Sequence, residues 1–108
     1  MTKSSETILK RANSWIESGH KVTMATVIET WGSSPCQVGS KMIVNDKGDF
    51  LGSVSGGCVE ANVINECLEL IKNKNPFKKM HFIVQDESAW SIGLACGGEM
   101  KVFIELIN

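Results

Sequence analysis

Hydrophobic positions recur with two different periods along the chain, and these periods predict two helices among several strands. Residues 5–18 carry apolar side chains on one helical face, and Gly19 is placed to end this first helix. Residues 21–30 are rich in Val, Thr and Ile, which favours a strand that is packed on both faces.

The rest of the chain continues with turn-rich breaks between apolar runs. The pattern predicts strands at residues 41–44, 50–54, 80–84 and 100–107 and a second helix at residues 58–72. The order α-β-β-β-α-β-β predicts an α/β (α+β) fold, in which one two-layer domain holds a mixed or antiparallel sheet of about five strands and two main helices. The final strand either forms a free edge of this sheet or is buried inside it.

Composition places the chain among folded soluble domains. Its 108 residues, of which 43% are hydrophobic and 21% charged, are enough for one domain with a real core. A net charge of −1 gives no basic surface of the kind that nucleic-acid binding requires. The first twenty residues hold no continuous apolar run, so neither a signal peptide nor a membrane span is predicted, and we expect a cytoplasmic protein.

The cysteines are the candidate reactive or metal-binding residues of the chain. Without an export signal the thiols are expected to be reduced, and the absence of a C-x-x-C pair argues against a zinc site. Cys67 lies on the apolar stripe of the second helix and is assigned to the core. Cys58 and Cys96 instead stand in glycine-rich turns, where a thiol is either reachable by a ligand or a small buried side chain.

The turn Ser55-Gly56-Gly57-Cys58 leads into the second helix and is a candidate anion site. Helix N-termini expose N–H groups and carry partial positive charge, which favours a phosphate and lowers the pKa of a thiol. The turn matches neither a P-loop nor a dinucleotide fingerprint, and its glycines can equally serve only a sharp strand-to-helix turn. Glu60, in the first turn of the helix, either caps the helix or accepts a proton or a ligand hydrogen bond.

Three ordered motifs together resemble the N-terminal domain of the XdhC/CoxI family, which assists xanthine dehydrogenase and carbon monoxide dehydrogenase. The motifs are Glu29-Thr30-Trp31-Gly32-Ser33-Ser34-Pro35 with Gly39-Ser40-Lys41-Met42, then Gly52-Ser53-Val54-Ser55-Gly56-Gly57-Cys58-Val59-Glu60, and then Gly93-Leu94-Ala95-Cys96-Gly97-Gly98. The resemblance implies an accessory protein that binds the molybdenum cofactor (molybdopterin) as cargo, protects it, helps its sulfuration and inserts it into an apo molybdenum hydroxylase. The role that it implies is that of a cofactor chaperone and insertion factor, not of a catalyst in its own right.

The resemblance also implies which residues hold this cargo. The expected cofactor-binding residues are Gly32, Ser33, Ser34, Gly39, Ser55, Gly56, Gly57, Cys58, Glu60, Cys96, Gly97 and Gly98, with Cys58 and Cys96 as candidate molybdenum contacts. The chain has Cys36 where family members often have arginine, so one phosphate-directed charge is missing.

The family resemblance further suggests partners that the residues alone do not reveal. Many members continue into a Rossmann-like C-terminal domain, which we expect a separate polypeptide to supply here, and a cysteine desulfurase and a second copy of the chain are further candidate partners. The alternative function is a thiol-dependent sulfur-transfer or redox enzyme in which Cys58 or Cys96 turns over.

Overall fold

The computed structural model describes residues 5–31, 38–54, 59–84 and 98–107, which form two helices and five strands. In chain order these are α1 (Ser5–Glu17), β1 (Val22–Trp31), β2 (Lys41–Asn45), β3 (Phe50–Gly52), α2 (Glu60–Asn73), β4 (Phe77–Val84) and β5 (Gly98–Leu106). The predicted fold class and order of elements are confirmed. Strand β4 begins before the predicted Met80, because the exposed Lys78 and Lys79 conceal the start of its alternation.

The five strands of the described residues form one antiparallel sheet in the order β3-β2-β1-β5-β4. Strand β5 therefore lies between β1 and β4, and the interior placement of the final strand is the one observed. The sheet edges are the short β3 and the longer β4.

Each face of the sheet is covered by one helix. Along β2, Met42 and Val44 belong to the same buried cluster as Val63, Cys67 and Leu70 of α2. The intervening Ile43 belongs to a second cluster with Ile8 and Ala12 of α1. Because successive side chains of a strand point to opposite faces, α1 and α2 lie on opposite sides of the sheet. This arrangement adds a third layer to the two that the sequence pattern predicts.

Both helices end in left-handed residues. Gly19 follows α1 with a φ of 90°, as the sequence predicts. At the end of α2, Lys74 adopts a φ of 56°, while its N–H donates to Ile71 O and the N–H of Asn75 donates to Leu70 O. These two bonds form a Schellman motif with lysine at the position that glycine usually takes.

Candidate functional site

Five strand termini meet at one end of the sheet, which we call the loop end. Because all neighbouring strands are antiparallel, the strand ends that lie here are Trp31, Lys41, Gly52, Val84 and Gly98. The stretches at residues 32–37, 55–58 and 85–97 lie outside the described residues, and the described residues on both sides of each stretch lie at or near this end. The helix α2 begins at the same end, because Glu60 contacts the residues that follow β3. The loop end therefore gathers the described residues that flank the three stretches in which most of the glycine-rich motif residues stand.

Two irregularities of β1 shape its path into the loop end. The register with β5 shifts between Val27 and Glu29, so that Ile28 is an extra residue. On the opposite side, the N–H of Gly39 donates to Val27 O at 2.8 Å and the N–H of Val27 donates to Ser40 O at 2.9 Å. Gly39 and Ser40 thus lie opposite the single residue Val27, and Gly39 has a φ of 96°. This arrangement is a G1 bulge. Such bulges redirect a strand and occur often beside functional sites.

Gly52 is the last residue of β3 and the first residue of the second motif. Its φ is 94°, and a Cβ at this position would stand 2.4 Å from Lys41 O and 3.0 Å from the Cδ1 atom of Ile8. The next residue, Ser53, donates its N–H to the same Lys41 oxygen at 3.2 Å. Only glycine meets both the conformation and the close approach of the two backbones. From the sequence, Gly52 belongs to a motif but has no predicted role.

Glu60 joins the start of α2 to the residues that precede the glycine turn. Its Oε2 atom accepts a hydrogen bond from the Ser53 hydroxyl at 2.5 Å and another from the Val54 N–H at 3.0 Å. The N-cap residue of α2 is Val59, whose side chain makes no cap hydrogen bond. The sequence predicts a helix cap or a ligand contact for Glu60. Neither prediction includes the hydrogen bonds that Glu60 accepts from Ser53 and Val54. Ser53 is thus a site residue that the sequence analysis missed.

The predicted site residues divide into those that the structure describes and those that it does not. Gly39 lies in the bulge, Glu60 begins α2, and Gly98 begins β5 opposite Val84. The predicted residues outside the described ranges are Gly32, Ser33, Ser34, Ser55, Gly56, Gly57, Cys58, Cys96 and Gly97. The same holds for Cys36. The roles predicted for these residues remain predictions.

Cys67 is confirmed as a core residue. Its side chain is fully buried in the cluster between α2 and the sheet. Burial raises the pKa of this thiol to about 11, so that it carries almost no thiolate at neutral pH. Cys67 is therefore unsuited to either ligation or sulfur chemistry.

Both histidines have acidic partners that are distant in sequence. His81 Nε2 lies 2.9 Å from Glu99 Oε2 across β4 and β5, and His20 Nδ1 lies 2.9 Å from Asp46 Oδ1 at the other end of the sheet. Asp46 also accepts the N–H of Lys21, and this bond is the main reason that its pKa is lowered. Within the described ranges, no group of three or more His, Cys, Asp or Glu side chains is placed to bind a metal ion. No helix in those ranges is long and apolar enough to cross a membrane.

A family model and two related proteins agree with the resemblance to the XdhC and CoxI family. The model of the XdhC and CoxI family matches residues 15–82. The molybdenum cofactor insertion chaperone PaoD of Escherichia coli is 33% identical over 109 residues, which cover 100% of this chain and 33% of PaoD. A Bacillus subtilis protein, by name a probable xanthine dehydrogenase subunit, is 28% identical over 86% of this chain and 28% of its own length.

A solved structure supports the fold. The crystal structure of a xanthine dehydrogenase from Bacillus halodurans superposes with a TM-score of 0.75 at 22% identity, over 93% of this chain and 30% of that one. At this identity the likeness concerns the fold alone. The chain spans a third or less of the length of the curated relatives described here, between 28% and 33%.

Proposed function

Because the chain belongs to the XdhC and CoxI family, we propose that it binds the molybdenum cofactor as cargo and assists its insertion into a molybdenum hydroxylase. The client is an apo-enzyme of the xanthine dehydrogenase or carbon monoxide dehydrogenase type. The protein acts as a cytoplasmic chaperone that protects the cofactor, presents it for sulfuration and releases it to the client. PaoD, a molybdenum cofactor insertion chaperone by name, supports this proposal because its similarity extends over the whole of this chain.

The convergence of strand termini at the loop end is the observation that carries the proposal. A single strand-to-helix turn is too common to indicate a ligand, but here three motif-bearing segments start from one end of one sheet. A ligand that lies over this end meets all three, as ligands of many sheet proteins meet loops at one sheet end.

The donor types in these segments suit the cargo. The cofactor carries a phosphate, which the N–H groups at the start of α2 and in the glycine turns can bind. It also carries a molybdenum dithiolene, which a soft thiolate can contact. Cys58 directly precedes Val59, and Cys96 stands two residues before Gly98, so each thiol belongs to a segment that joins the loop end. We assign Cys58 or Cys96 to the metal, and the segments at residues 32–39 and 56–57 to the pterin and phosphate.

Further partners belong to the same proposal. A cysteine desulfurase supplies the sulfur for the cofactor. A homodimer is a further candidate assembly. Analytical ultracentrifugation of the protein, alone and with each purified partner, tests these associations separately from cofactor binding.

The direct test is cofactor retention. The purified protein is incubated anaerobically with molybdenum cofactor released from a molybdenum enzyme, and free cofactor is removed. The fluorescence of the oxidised pterin and the molybdenum content are then measured. We expect near-stoichiometric retention and transfer to an apo-hydroxylase, whereas retention no greater than that of an unrelated protein refutes the proposal.

Thiol variants test the metal contact. A Cys58→Ala, Cys96→Ala double variant is expected to lose molybdenum, while the control Cys67→Ala keeps it, because the Cys67 thiol is buried in the core and has no proposed metal contact. Equal molybdenum in the double variant and the wild type refutes thiol ligation. A persulfide or mixed disulfide that accumulates on Cys58 or Cys96 during turnover would favour the thiol-enzyme alternative, because a carrier consumes no thiol.

A further inference from the structure

We propose that the Lys41 side chain binds the phosphate group of the cofactor at the loop end. This inference rests on the proposed function and deepens it, because it names a described residue that recognises the anionic part of the cargo. A phosphate monoester carries a charge of about −1.5 to −2 at pH 7, and a lysine ammonium group can bind it as a compact point charge.

The backbone of Lys41 is fixed from two sides. Lys41 is the first residue of β2 and pairs with Thr26 of β1. On the other side, its carbonyl oxygen accepts the N–H of Ser53 at 3.2 Å, and a Cβ at Gly52 would stand only 2.4 Å from the same oxygen. The side chain of Lys41 therefore starts from a well-defined position at the loop end.

The Lys41 side chain lies on the face of the sheet that α1 covers. Ile43, two residues further along β2, packs with Ile8 and Ala12 of α1, and side chains two residues apart on a strand share a face. Lys41 itself is half-buried. A lysine of this kind shields its apolar stem and keeps its ammonium group at the surface, which here is the surface of the loop end.

Among the described residues, no carboxylate pairs with the Lys41 ammonium group. Its neighbours on the two adjacent strands, Thr26 and Ser53, carry no charge. The nearby Glu60 uses its Oε2 atom to accept hydrogen bonds from Ser53 and Val54. An anion at the loop end therefore meets a cation that no described side chain neutralises.

Lys101 shows what distinguishes Lys41 from another lysine in the same half of the sheet. Lys101 lies on β5 directly opposite Glu29 of β1, and opposite charges at such a position attract each other. A carboxylate next to a lysine lowers its attraction for an incoming phosphate. We therefore assign the phosphate contact to Lys41 and not to Lys101.

The test varies the lysine and the phosphate together. The probes are the oxidised pterin of the cofactor with its phosphate and the same pterin after a phosphatase has removed it, and each Kd is measured by fluorescence after equilibrium dialysis. We expect Lys41→Met to raise the Kd of the phosphorylated pterin about 10-fold and to leave the other Kd within about twofold, because one bond to a charged group is lost. Lys41→Arg keeps the charge and should stay within about threefold of the wild type.

Lys47→Met is the matched control. It removes an exposed lysine from the turn at the other end of the same β2–β3 hairpin, so that the net charge changes equally. Both Kd values should stay unchanged in this variant. If Lys41→Met weakens the binding of both pterins equally, or if Lys47→Met has the same effect as Lys41→Met, the inference is wrong.

A second readout does not need the cofactor. Inorganic phosphate is titrated into the protein at constant ionic strength, and the NMR signal of the Ser53 amide, which is bonded to Lys41 O, is followed. We expect a saturable shift that Lys47→Met keeps and Lys41→Met abolishes. If the wild type retains no cofactor while this pattern holds, the proposed function fails but the phosphate contact of Lys41 stands. A wild-type signal that does not respond to phosphate overturns the inference whatever the cofactor result.

Discussion

Replacing Gly52 with alanine tests whether the approach of β3 to β2 is as close as the structure shows. Gly52→Ala places a methyl group 2.4 Å from the carbonyl oxygen of Lys41, and a backbone oxygen cannot rotate away as a side chain can. The φ of 94° is also unfavourable for any residue with a Cβ. The substitution therefore combines conformational strain with a steric clash.

Gly19 allows these two effects to be separated. Its φ of 90° is nearly the same, but a Cβ there would meet nothing within 4 Å. Left-handed strain costs about 1–2 kcal/mol, and the loss of unfolded-state entropy returns about 0.4–1 kcal/mol, so Gly19→Ala should destabilise by about 1 kcal/mol. Crowding adds about 1–3 kcal/mol in Gly52→Ala, which gives a total of about 3 kcal/mol.

Urea denaturation followed by circular dichroism measures both variants. With an m-value of about 1.5 kcal/mol/M, the midpoint should fall by about 2 M for Gly52→Ala and by less than about 1 M for Gly19→Ala. Equal midpoints for the two variants would refute the reasoning, because they would show that the clash is absent. A Gly52→Ala protein that fails to fold alongside a folded Gly19→Ala protein agrees with it.

Three further predictions concern the described core and surface. Lys74→Gly should stabilise the protein by about 0.5–1 kcal/mol in urea denaturation, because it removes left-handed strain, whereas Glu69→Gly in the middle of α2 should destabilise it by about 1 kcal/mol. Native protein treated with iodoacetamide at pH 8 should carry no label on Cys67 by peptide mass spectrometry, and labelling before unfolding would contradict the burial that raises its pKa. Asp46→Asn should lower stability at pH 7 by less than about 1 kcal/mol, since the group is partly exposed. A carboxyl whose pKa is lowered in the folded protein stabilises the fold at pH values above its ordinary pKa, and this stabilisation is lost as the pH falls through the lowered pKa. The difference in stability between Asp46→Asn and the wild type should therefore shrink below about pH 4. A difference that does not depend on pH would contradict the hydrogen bonds of Asp46.

Local periodicity was sufficient to predict most of the fold. The helical stripe around Cys67 and the β-branched run of β1 are signals that lie within single elements, and both appear where the sequence places them. Strand order depends on pairings between distant segments, so the interior position of β5 has no local signal. The third layer of the fold also has no local signal. Met42, Ile43 and Val44 are all apolar, but they indicate that both faces of the sheet are buried only once β2 is known to be an interior strand.

The candidate site was less predictable because its contacts join residues that have no pattern in common. Nothing in the sequence connects Ser53 with Glu60, since the bond depends on the turn between them. The same limit applies to His81 and Glu99, whose side chains meet only through the register of β4 and β5. Gly52 offered a weak signal, because a glycine at the end of an apolar run often marks a close backbone approach.

The antiparallel topology explains why the described residues that flank three separate motifs lie at one end of the sheet. In an antiparallel sheet, a connection between two strands that are consecutive in sequence and neighbours in the sheet starts and finishes at the same end of the sheet. The β1–β2 and β4–β5 connections therefore both start and finish at the loop end, without a crossover. The route from β3 to β4 is different, because β3 ends at the loop end and β4 ends there too, so the chain must first cross to the far end. The helix α2 makes that crossing, and it has to begin at the loop end to do so. The same topology that sends two loops to this end therefore also requires a helix N-terminus beside them, and Glu60 is the residue that joins this helix to the strand before it.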